Sequence, residues 1–367
     1  MAERRLQAVG ALLAAACLLG LAVGDLLAPP TLILSALFAL GPLIACAVLP
    51  AAATAGFALA ATVLALLSGV WNGVSGNGQQ IVRVVDVAVI SSAAVLVAWV
   101  RVRRERRHAR YVAIAEVAQK AVLPTLPRVA GQVSVASRYL SAAQDAVVGG
   151  DLYDCHHSPE HTRFLVGDVR GKGVAGVEQA ARTIRAFRQS AATRPTLASV
   201  AADMSAYLQN FFDDEEFVTA VLVDTTDPAA LTLVSCGHPQ PILVDEQGAA
   251  TYLDLPAGLP LGLGDHYESV TVPWPVGDRL LLYTDGLSEA RDRRGEFLSL
   301  LSLEPQLADH SVDEALDAVL ATVRRHVPGG HLNDDLAVVL LERTGHRDGP
   351  SVEYAHDRRP RPRAWAN

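Results

Sequence analysis

The sequence predicts an α+β domain that follows a short helical membrane segment. Two observations carry this prediction. Four apolar stretches with very few charged residues precede residue 101, and from about residue 129 short β-like runs alternate with amphipathic helical stretches. Many strands joined by turns, with helices added in pairs, favour an α+β fold over a doubly wound parallel sheet.

Charge is unevenly distributed along the 367 residues. The formal net charge is −8, and residues 1–110 contain nine Arg against four Asp or Glu, so this part carries about +5 and the remainder about −13. Because a phosphate backbone requires clustered Lys and Arg, the acidic remainder argues against nucleic acid as a partner and is compatible with a cation site. The four cysteines have no metal-ligand or disulfide spacing.

The apolar stretches are long enough to suggest a membrane segment. They cover roughly residues 6–27, 31–49, 51–70 and 84–100. About 20 apolar residues span a bilayer, and the alternative, core helices of a soluble domain, would leave too little polar surface to face water. We therefore predict about four transmembrane helices in residues 1–100, with prolines on both sides of the second stretch.

The arginines predict the orientation of this segment. Arg4 and Arg5 precede the first stretch, and six Arg lie between Arg101 and Arg110. Arg-rich flanks stay in the cytoplasm, and an even number of spans places both flanks on one side. We expect a multi-pass protein of the plasma membrane whose N-terminus and C-terminal domain are cytoplasmic. Asp86, in the last stretch, could be a sensing or helix-pairing residue, or an interfacial partner of Arg83.

Residues 101–128 are expected to form a cytoplasmic linker. No Gly or Pro interrupts residues 101–123, so a helix should continue out of the last span and end before Pro124 and Pro127. This helix could pair with a second copy and form a homodimer. Alternatively, it is a solvated spacer whose arginines lie at lipid headgroups.

The elements of the domain at residues 129–343 follow from residue type and periodicity. Predicted strands are Val133–Leu140, Arg163–Val166, Phe217–Asp224, Leu231–Cys236, Pro241–Val244, Arg279–Tyr283 and Leu336–Leu341. Predicted helices are Val174–Ala192, Leu197–Phe212 and Val312–Val327. Residues 344–367 are rich in Arg, Pro and Gly and are expected to be a disordered tail.

Aspartates stand at the boundaries of these elements in four segments. The segments are VGGDLYD (Asp151, Asp154), VGDVRGKG (Asp168), LLYTDGLSEARD (Asp285) and LNDDLAVVLLE (Asp334, Asp335). Carboxylates that converge from strand ends repel one another unless a cation neutralises them, and a carboxylate set without His or Cys suits Mg²⁺ or Mn²⁺ better than Zn²⁺. Two such ions can activate a water and clamp a phosphoryl group.

Each segment alone has a simpler interpretation. An Asp-Gly pair after a strand is usually a turn. The GKG of the second segment is not followed by Ser or Thr, so the spacing differs from that of a nucleotide-binding P-loop. The evidence for a metal site therefore lies in the combination of the four segments.

Taken together, the motifs resemble the SpoIIE-type branch of the metal-dependent (PPM, or type 2C) Ser/Thr protein phosphatases. They occur in the order GGD-x-Y-D, GDV-x-GKG, CGHPQP, YTDGL-E and N-DD-L-A-V, and the resemblance covers residues 116–342. It implies a β-sandwich flanked by helices, with the metals at one end between the sheets. It also implies hydrolysis of a phosphoserine or phosphothreonine protein by water activated between two Mn²⁺ or Mg²⁺ ions. Phosphorylated anti-sigma-factor antagonists are the implied substrate class.

The resemblance also implies a role for individual residues. Asp168 is the expected bridging ligand, Asp151 is a further ligand, and both are expected to be catalytic residues. The carbonyl of Val169 and the carboxylates of Asp285 and Asp334 complete the metal site. Two further aspartates, Asp154 and Asp335, are expected to support these ligands from behind.

One departure from the family pattern concerns the general acid. Eukaryotic type 2C enzymes carry a His just after the bridging Asp, whereas this chain has Val169 and Arg170. The leaving-group proton must come from elsewhere, such as a metal-bound water. His238 is a candidate by residue type alone, and could equally be a turn residue that caps a strand. Arg170 and Lys172 either bind phosphate or are solvated loop charges.

Two other functions remain as alternatives at this stage. The missing His is compatible with a catalytically weak, membrane-tethered binding or sensor module that retains a phosphatase fold. A sensor histidine kinase would need a phosphoacceptor such as His108 together with an ATP site, and the sequence contains no motif set for the latter.

Overall fold

The computed structural model describes residues 2–28, 34–141, 149–171, 173–213, 215–308, 311–330, 332, 334–345 and 352–353. The chain divides into two compact units, Met1–Arg110 and Tyr111–Asn367. Lys172 and most of the predicted tail lie outside the described residues.

The first unit is helical. It contains α1 (Ala2–Leu27), a 3-10 turn (Ser35–Ala39) that leads into α2 (Leu40–Val48), α3 (Ala51–Trp71) and the first part of α4 (Gly78–Val122). Three helices in the described residues are long and apolar enough to cross a membrane: Arg5–Leu27, Ala51–Trp71 and Gly78–Tyr111. The prediction of about four such helices was therefore wrong for the second stretch. Its helical part, Ser35–Val48, is only about 21 Å long at 1.5 Å per residue.

The short second stretch nevertheless returns along α1. A Cβ atom at Gly41 would collide with Leu18, and one at Gly10 would collide with Val48. The residue number therefore rises along α2 as it falls along α1, so the two helices run antiparallel. Small residues at both contacts allow the close approach that is common between membrane helices.

A buried carboxylate fastens one end of this unit. Asp25 is 0% exposed and accepts hydrogen bonds from the backbone N–H of Leu34 (2.6 Å), the hydroxyl of Ser68 (2.6 Å) and the indole N–H of Trp71 (2.9 Å). Asp86, by contrast, is exposed. A carboxylate at the position of Asp25, inside an apolar segment, is tolerated only with hydrogen-bond donors of this kind. Asp25 therefore holds the ends of α1 and α3 together.

The second unit contains two antiparallel sheets. The strands are β1 (Val129–Ala130), β2 (Val133–Leu140), β3 (Leu152–His157), β4 (Thr162–Val169), β5 (Val218–Asp224), β6 (Ala230–Cys236), β7 (Ile242–Val244), β8 (Ala250–Tyr252), β9 (Ser269–Pro273), β10 (Arg279–Tyr283), β11 (Leu336–Arg343) and β12 (Val352–Glu353). In the described residues, one sheet has the order β12-β1-β2-β11-β10-β7-β8 and the other has the order β3-β4-β5-β6-β9. We call them the seven-stranded and the five-stranded sheet.

Helices cover the outer face of each sheet. They are α5 (Val174–Thr193), α6 (Leu197–Leu208), α7 (Asp285–Ser288), α8 (Glu304–Ala308) and α9 (Val312–His326). The five-stranded sheet packs on α5 and α6, and the seven-stranded sheet packs on α8 and α9. A third apolar core lies between the two sheets. The unit is thus a four-layer α-β-β-α sandwich, which confirms the predicted α+β class.

The helix starts follow local side-chain chemistry. Ser311 and Glu314 form a capping box at the start of α9, and Thr196 and Ser199 form one at the start of α6. Such side chains satisfy backbone N–H groups that the first helical turn leaves without partners.

Candidate metal centre

Three of the predicted aspartates meet at one end of the sandwich. Each of Asp151, Asp168 and Asp285 has a carboxylate oxygen within 4.8 Å of the other two. Asp151 precedes β3 and Asp168 lies near the end of β4, so both belong to the five-stranded sheet. Asp285 begins α7, directly after β10 of the seven-stranded sheet. The cluster therefore bridges the two sheets.

Asp151 is the most enclosed member of the cluster. It is 2% exposed, and the hydroxyl of Thr284 donates a 2.7 Å hydrogen bond to its Oδ2. Burial raises the pKa of Asp151 well above its ordinary value, and the nearby charge of Asp168 raises it further. A divalent cation bound here would offset both the cost of burying the Asp151 carboxylate and its repulsion by Asp168, because the cation attracts the charged form. The carboxylate-only donor set is that of a hard cation.

The backbone around Asp168 allows a close approach. The N–H of Val169 donates to the carbonyl of Gly150, and a Cβ atom at Gly150 would lie 2.6 Å from the Val169 carbonyl oxygen. Only glycine fits there. The sequence GGD therefore brings Asp151 against the end of β4, beside the predicted carbonyl ligand of Val169.

Thr284 and Gly286 place Asp285. The backbone N–H of Thr284 donates to the Ala337 carbonyl (3.0 Å), and its hydroxyl accepts from the Ala337 N–H (2.9 Å). A Cβ atom at Gly286 would collide with the carbonyl oxygen of Asp335. The TDG turn is thus held tightly against the start of β11. Thr284 was not among the predicted site residues, since a threonine before an Asp-Gly turn has no distinctive pattern.

The two adjacent aspartates before β11 differ in their surroundings. Asp335 is 2% exposed and accepts hydrogen bonds from the Gly149 N–H (2.8 Å) and from the hydroxyl of Tyr139. It therefore braces the glycine pair that precedes Asp151. Asp334 is half-buried and accepts from the Asp335 N–H (2.9 Å). The three-carboxylate cluster found among the described residues does not include it.

The remaining candidates lie at varied distances from the cluster. Asp154 forms an ion pair with Arg188 of α5 (2.6 Å) and so fastens that helix to β3. Burial raises the pKa of Asp154 even though Arg188 favours its charged form. Arg170 is exposed, donates to the Glu215 carbonyl (2.9 Å) and stacks over Phe217. Lys172 falls outside the described residues.

His238 lies between the sheets with both ring nitrogens engaged. Nδ1 is 3.1 Å from the Thr219 hydroxyl, and Nε2 is 3.0 Å from the Tyr283 carbonyl. Burial lowers the pKa of His238 to about 4. Thr219 is the register partner of Asp168, and Tyr283 is two residues before Asp285. A neutral His238 therefore connects the backbones that carry two members of the cluster.

The sequence matches a family model over about half its length. The model for "Stage II sporulation protein E (SpoIIE)" matches residues 158–344. Among curated proteins, the chain is 25% identical over 219 residues to the phosphoserine phosphatase RsbU of Bacillus subtilis, covering 58% of this chain and 62% of RsbU.

Solved structures show the same fold. The RsbU and RsbW domains of Rv1364c from Mycobacterium tuberculosis match with a TM-score of 0.52 and 23% identity, over 61% of this chain and 63% of that chain. The SiaA-PP2C domain of Pseudomonas aeruginosa matches with a TM-score of 0.54 and 21% identity, over 66% of this chain and 99% of that chain. The chain thus spans less than two thirds of RsbU and of the Rv1364c structure.

Proposed function

Because this chain belongs to the SpoIIE family, we propose that it is a metal-dependent phosphatase of phosphoserine or phosphothreonine proteins. The observation that carries the proposal is the cluster of Asp151, Asp168 and Asp285, whose carboxylates converge from two different sheets. Like charges this close together, one of them buried, are unfavourable without a cation, and such groups are typical of functional sites.

We assign the proposed roles from the resemblance to the family, and the convergence of Asp151, Asp168 and Asp285 supports them. Asp168 would be shared between two Mn²⁺ or Mg²⁺ ions, with Asp151, Asp285, Asp334 and the Val169 carbonyl as the other ligands. Thr284 orients Asp151 and so fixes the direction from which that carboxylate meets the site. When bound, the two ions would supply an activated water and neutralise charge on the phosphoryl group.

The proton for the leaving group is assigned to solvent at the site. His238 is buried, with both ring nitrogens already engaged, so it is poorly placed to donate to a substrate. Arg170 is exposed beside the cluster-bearing end of β4 and is the better placed cation for a phosphate group. Its contact with Glu215 would have to be exchanged when a substrate binds.

The substrate class is proposed from the relatives. RsbU is named a phosphoserine phosphatase, and the Rv1364c structure combines RsbU and RsbW domains. These names support a phosphoprotein substrate, and the finer class that we propose, a phosphorylated anti-sigma-factor antagonist, rests on the resemblance to the SpoIIE-type branch. We also propose that residues 101–128 link a membrane segment to the phosphatase domain at 129–343, and that two linker helices pair in a homodimer.

We further propose that both ends of the first unit lie on the cytoplasmic side. The guanidinium of Arg101 donates a 2.7 Å hydrogen bond to the Leu49 carbonyl, and Gln7 lines the same cavity as Arg101 and Pro50. Asp25 marks the opposite end. The start of α1 and the arginines from residue 101 onward therefore share one end of the unit, as the positive-inside rule requires, although α2 is short.

The test is a phosphatase assay on the full-length protein in detergent micelles. We expect hydrolysis of a phosphoserine protein that requires Mn²⁺ and stops when a chelator is added. Asp168→Asn should lower the rate by about 10² or more, since it removes the shared ligand. Asp265→Asn, an exposed aspartate outside the cluster, is the matched control and should retain activity.

Folded, Mn²⁺-loaded protein without activity toward any phosphoserine or phosphothreonine protein would contradict the proposal. That result would favour the alternative of a membrane-tethered binding or sensor module. Activity that survives both the chelator and Asp168→Asn would contradict the metal-dependent mechanism.

A further inference from the structure

A cavity lies at the end of the sandwich opposite the cluster of Asp151, Asp168 and Asp285. Thr162, at the start of β4, lines it, whereas Asp168 lies six positions further along the same strand. At about 3.3 Å per residue, the two ends are about 20 Å apart. The cavity has a volume of about 470 Å³, which is within the usual range for small-molecule sites.

The inward-facing rows of four strands become polar at this end. Along β11, Ala337, Val339 and Leu341 face the core between the sheets, and the next residue with the same orientation is Arg343. By the same alternation, His157, Thr162 and Thr225 end the inward rows of β3, β4 and β5. The polar side chains that line this cavity therefore continue the inward-facing rows of the sandwich, so the cavity is not a groove on its outer surface.

Arg343 is the central observation. It is 8% exposed and lines the cavity, and its Nε is buried without a hydrogen-bond partner. No ion pair to its guanidinium occurs within the described part of the chain. Since no described carboxylate pairs with this guanidinium, a bound anion would offset the cost of removing the cation from water.

The other polar groups around the cavity also suit a negatively charged ligand. The described residues of its lining include no Asp or Glu. Thr162 and His157 already bond each other (2.8 Å), and Thr226 accepts from the Thr162 N–H. His161 adds a second imidazole at the rim. A guanidinium fork with flanking imidazoles and hydroxyls is a donor set for an oxyanion.

We propose that this cavity binds a small organic oxyanion, a carboxylate or a phosphate ester, through the guanidinium of Arg343. The volume leaves room for an organic body beside the anionic group. Since the cavity is remote from the aspartate cluster, the ligand is an effector and not the substrate.

The experiment measures anion binding to the full-length protein in detergent micelles without divalent metal. There are two probes. One is malonate, which is a dicarboxylate, and the other is phenylphosphonate, whose C–P bond a phosphatase cannot hydrolyse. In metal-free protein the aspartate cluster repels anions, so binding there does not interfere. Calorimetry gives the affinity, and the thermal midpoint gives an independent readout, because a ligand of the folded state raises it.

We expect the wild type to bind at least one probe and to gain thermal stability from it. Arg343→Met should weaken binding on the order of tenfold or more and abolish the ligand-induced gain. It should also raise the thermal midpoint of the ligand-free protein, because an unpaired buried charge is removed. A purely structural arginine would give the opposite change in stability. Arg293→Met, which removes an exposed arginine, is the matched control.

Two further variants keep the test decisive if Arg343→Met does not fold. Arg343→Lys retains the charge without the fork and should bind more weakly than the wild type, and His161→Ala should weaken binding from the rim. Binding of only one probe supports the proposal and identifies the ligand class. Wild-type protein that binds neither probe, or Arg343 variants that bind both as tightly as wild type, would overturn it.

Discussion

The hydroxyl of Thr284 takes part in two hydrogen bonds that together place the aspartate cluster. It donates to Asp151 and accepts from the backbone of Ala337. Valine has the same shape without the hydroxyl, so Thr284→Val would leave a buried N–H without a partner and Asp151 without its donor. We expect about 1–3 kcal/mol of lost stability and a fall in phosphatase activity.

Thr284→Ser is the control for this prediction, because it keeps the hydroxyl and removes only a methyl group. Activity should return close to that of the wild type, and Mn²⁺ titrations of both variants would separate weaker metal binding from slower turnover. If valine is tolerated as well as serine, Asp151 does not depend on Thr284 for its orientation.

His238 predicts a loss of stability on acidification. Burial holds its pKa at about 4 in the folded protein, against an ordinary value of 6.5. The stabilising contribution is thus complete above pH 6.5 and is lost as the pH falls toward 4, since the unfolded chain takes up the proton first. Its full size is up to about 3 kcal/mol.

The measurement compares the pH dependence of unfolding in wild type and His238→Gln, both without metal. Asp151, whose pKa is raised, has the opposite dependence, and the difference between the two proteins removes its contribution. We expect the wild type to lose more stability than the variant between pH 6.5 and pH 4. Parallel curves would show that His238 is protonated as easily in the folded protein as in the unfolded chain.

At the scale of elements, Arg163 fastens the C-terminal end of α5 to the five-stranded sheet. Its guanidinium is fully buried, pairs with Asp224 of β5 (2.7 Å), and donates to the carbonyls of Ala191, Arg194 and Pro195. Arg163→Met would leave a carboxylate and three carbonyls without this donor. We expect destabilisation of about 3–5 kcal/mol, measured by denaturant unfolding.

Arg182→Met is the matched control on the same helix. Arg182 is half-buried, lies over the ring of Phe211 and forms an ion pair with Glu178 one turn away at the helix surface (2.5 Å), and such surface pairs contribute less than about 1 kcal/mol. A comparable effect of the two substitutions would mean that Arg163 stabilises the helix only as any surface arginine does.

Elements with a clear apolar period could be predicted from sequence, and those held by distant polar partners could not. β2 and β10 have the predicted bounds, and the start of α5 was correct to the residue. β3 was missed because Asp154 and two histidines interrupt its apolar pattern. Asp154 is tolerated in that strand because Arg188, on a helix 34 residues later, pairs with it. No local pattern contains that information.

The candidate metal centre shows the same limit of prediction from sequence. Motif order selected Asp151, Asp168 and Asp285, which the fold brings together. The role of Asp335 as a brace for Gly149 depends on a contact between positions 186 residues apart. Adjacent aspartates such as Asp334 and Asp335 point in different directions, and only the three-dimensional arrangement decides which carboxylate faces which group.

At the scale of the whole molecule, the arrangement of the first unit predicts its orientation. If α2 crosses or re-enters the membrane so that residue 49 lies at the level of Arg101, both termini should lie in the cytoplasm. A fluorescent protein fused at either terminus should then be fluorescent. Bacterial alkaline phosphatase fused after Gly76, in the connection between α3 and α4, should be active outside. An active alkaline phosphatase at the N-terminus would instead indicate three crossings and opposite sides.

The dispersion of the cluster along the chain has a consequence for how the protein is made. Asp151 and Asp285 are far apart in sequence, and the brace that supports the first of them arrives only with Asp335 at the start of β11. A nascent chain that ends before residue 285 lacks one of the three clustered carboxylates, and one that ends before residue 335 lacks the brace. During synthesis the three carboxylates can therefore meet only after strands β3, β4 and β10 have left the ribosome, and a product that terminates before residue 285 should lack the proposed metal centre.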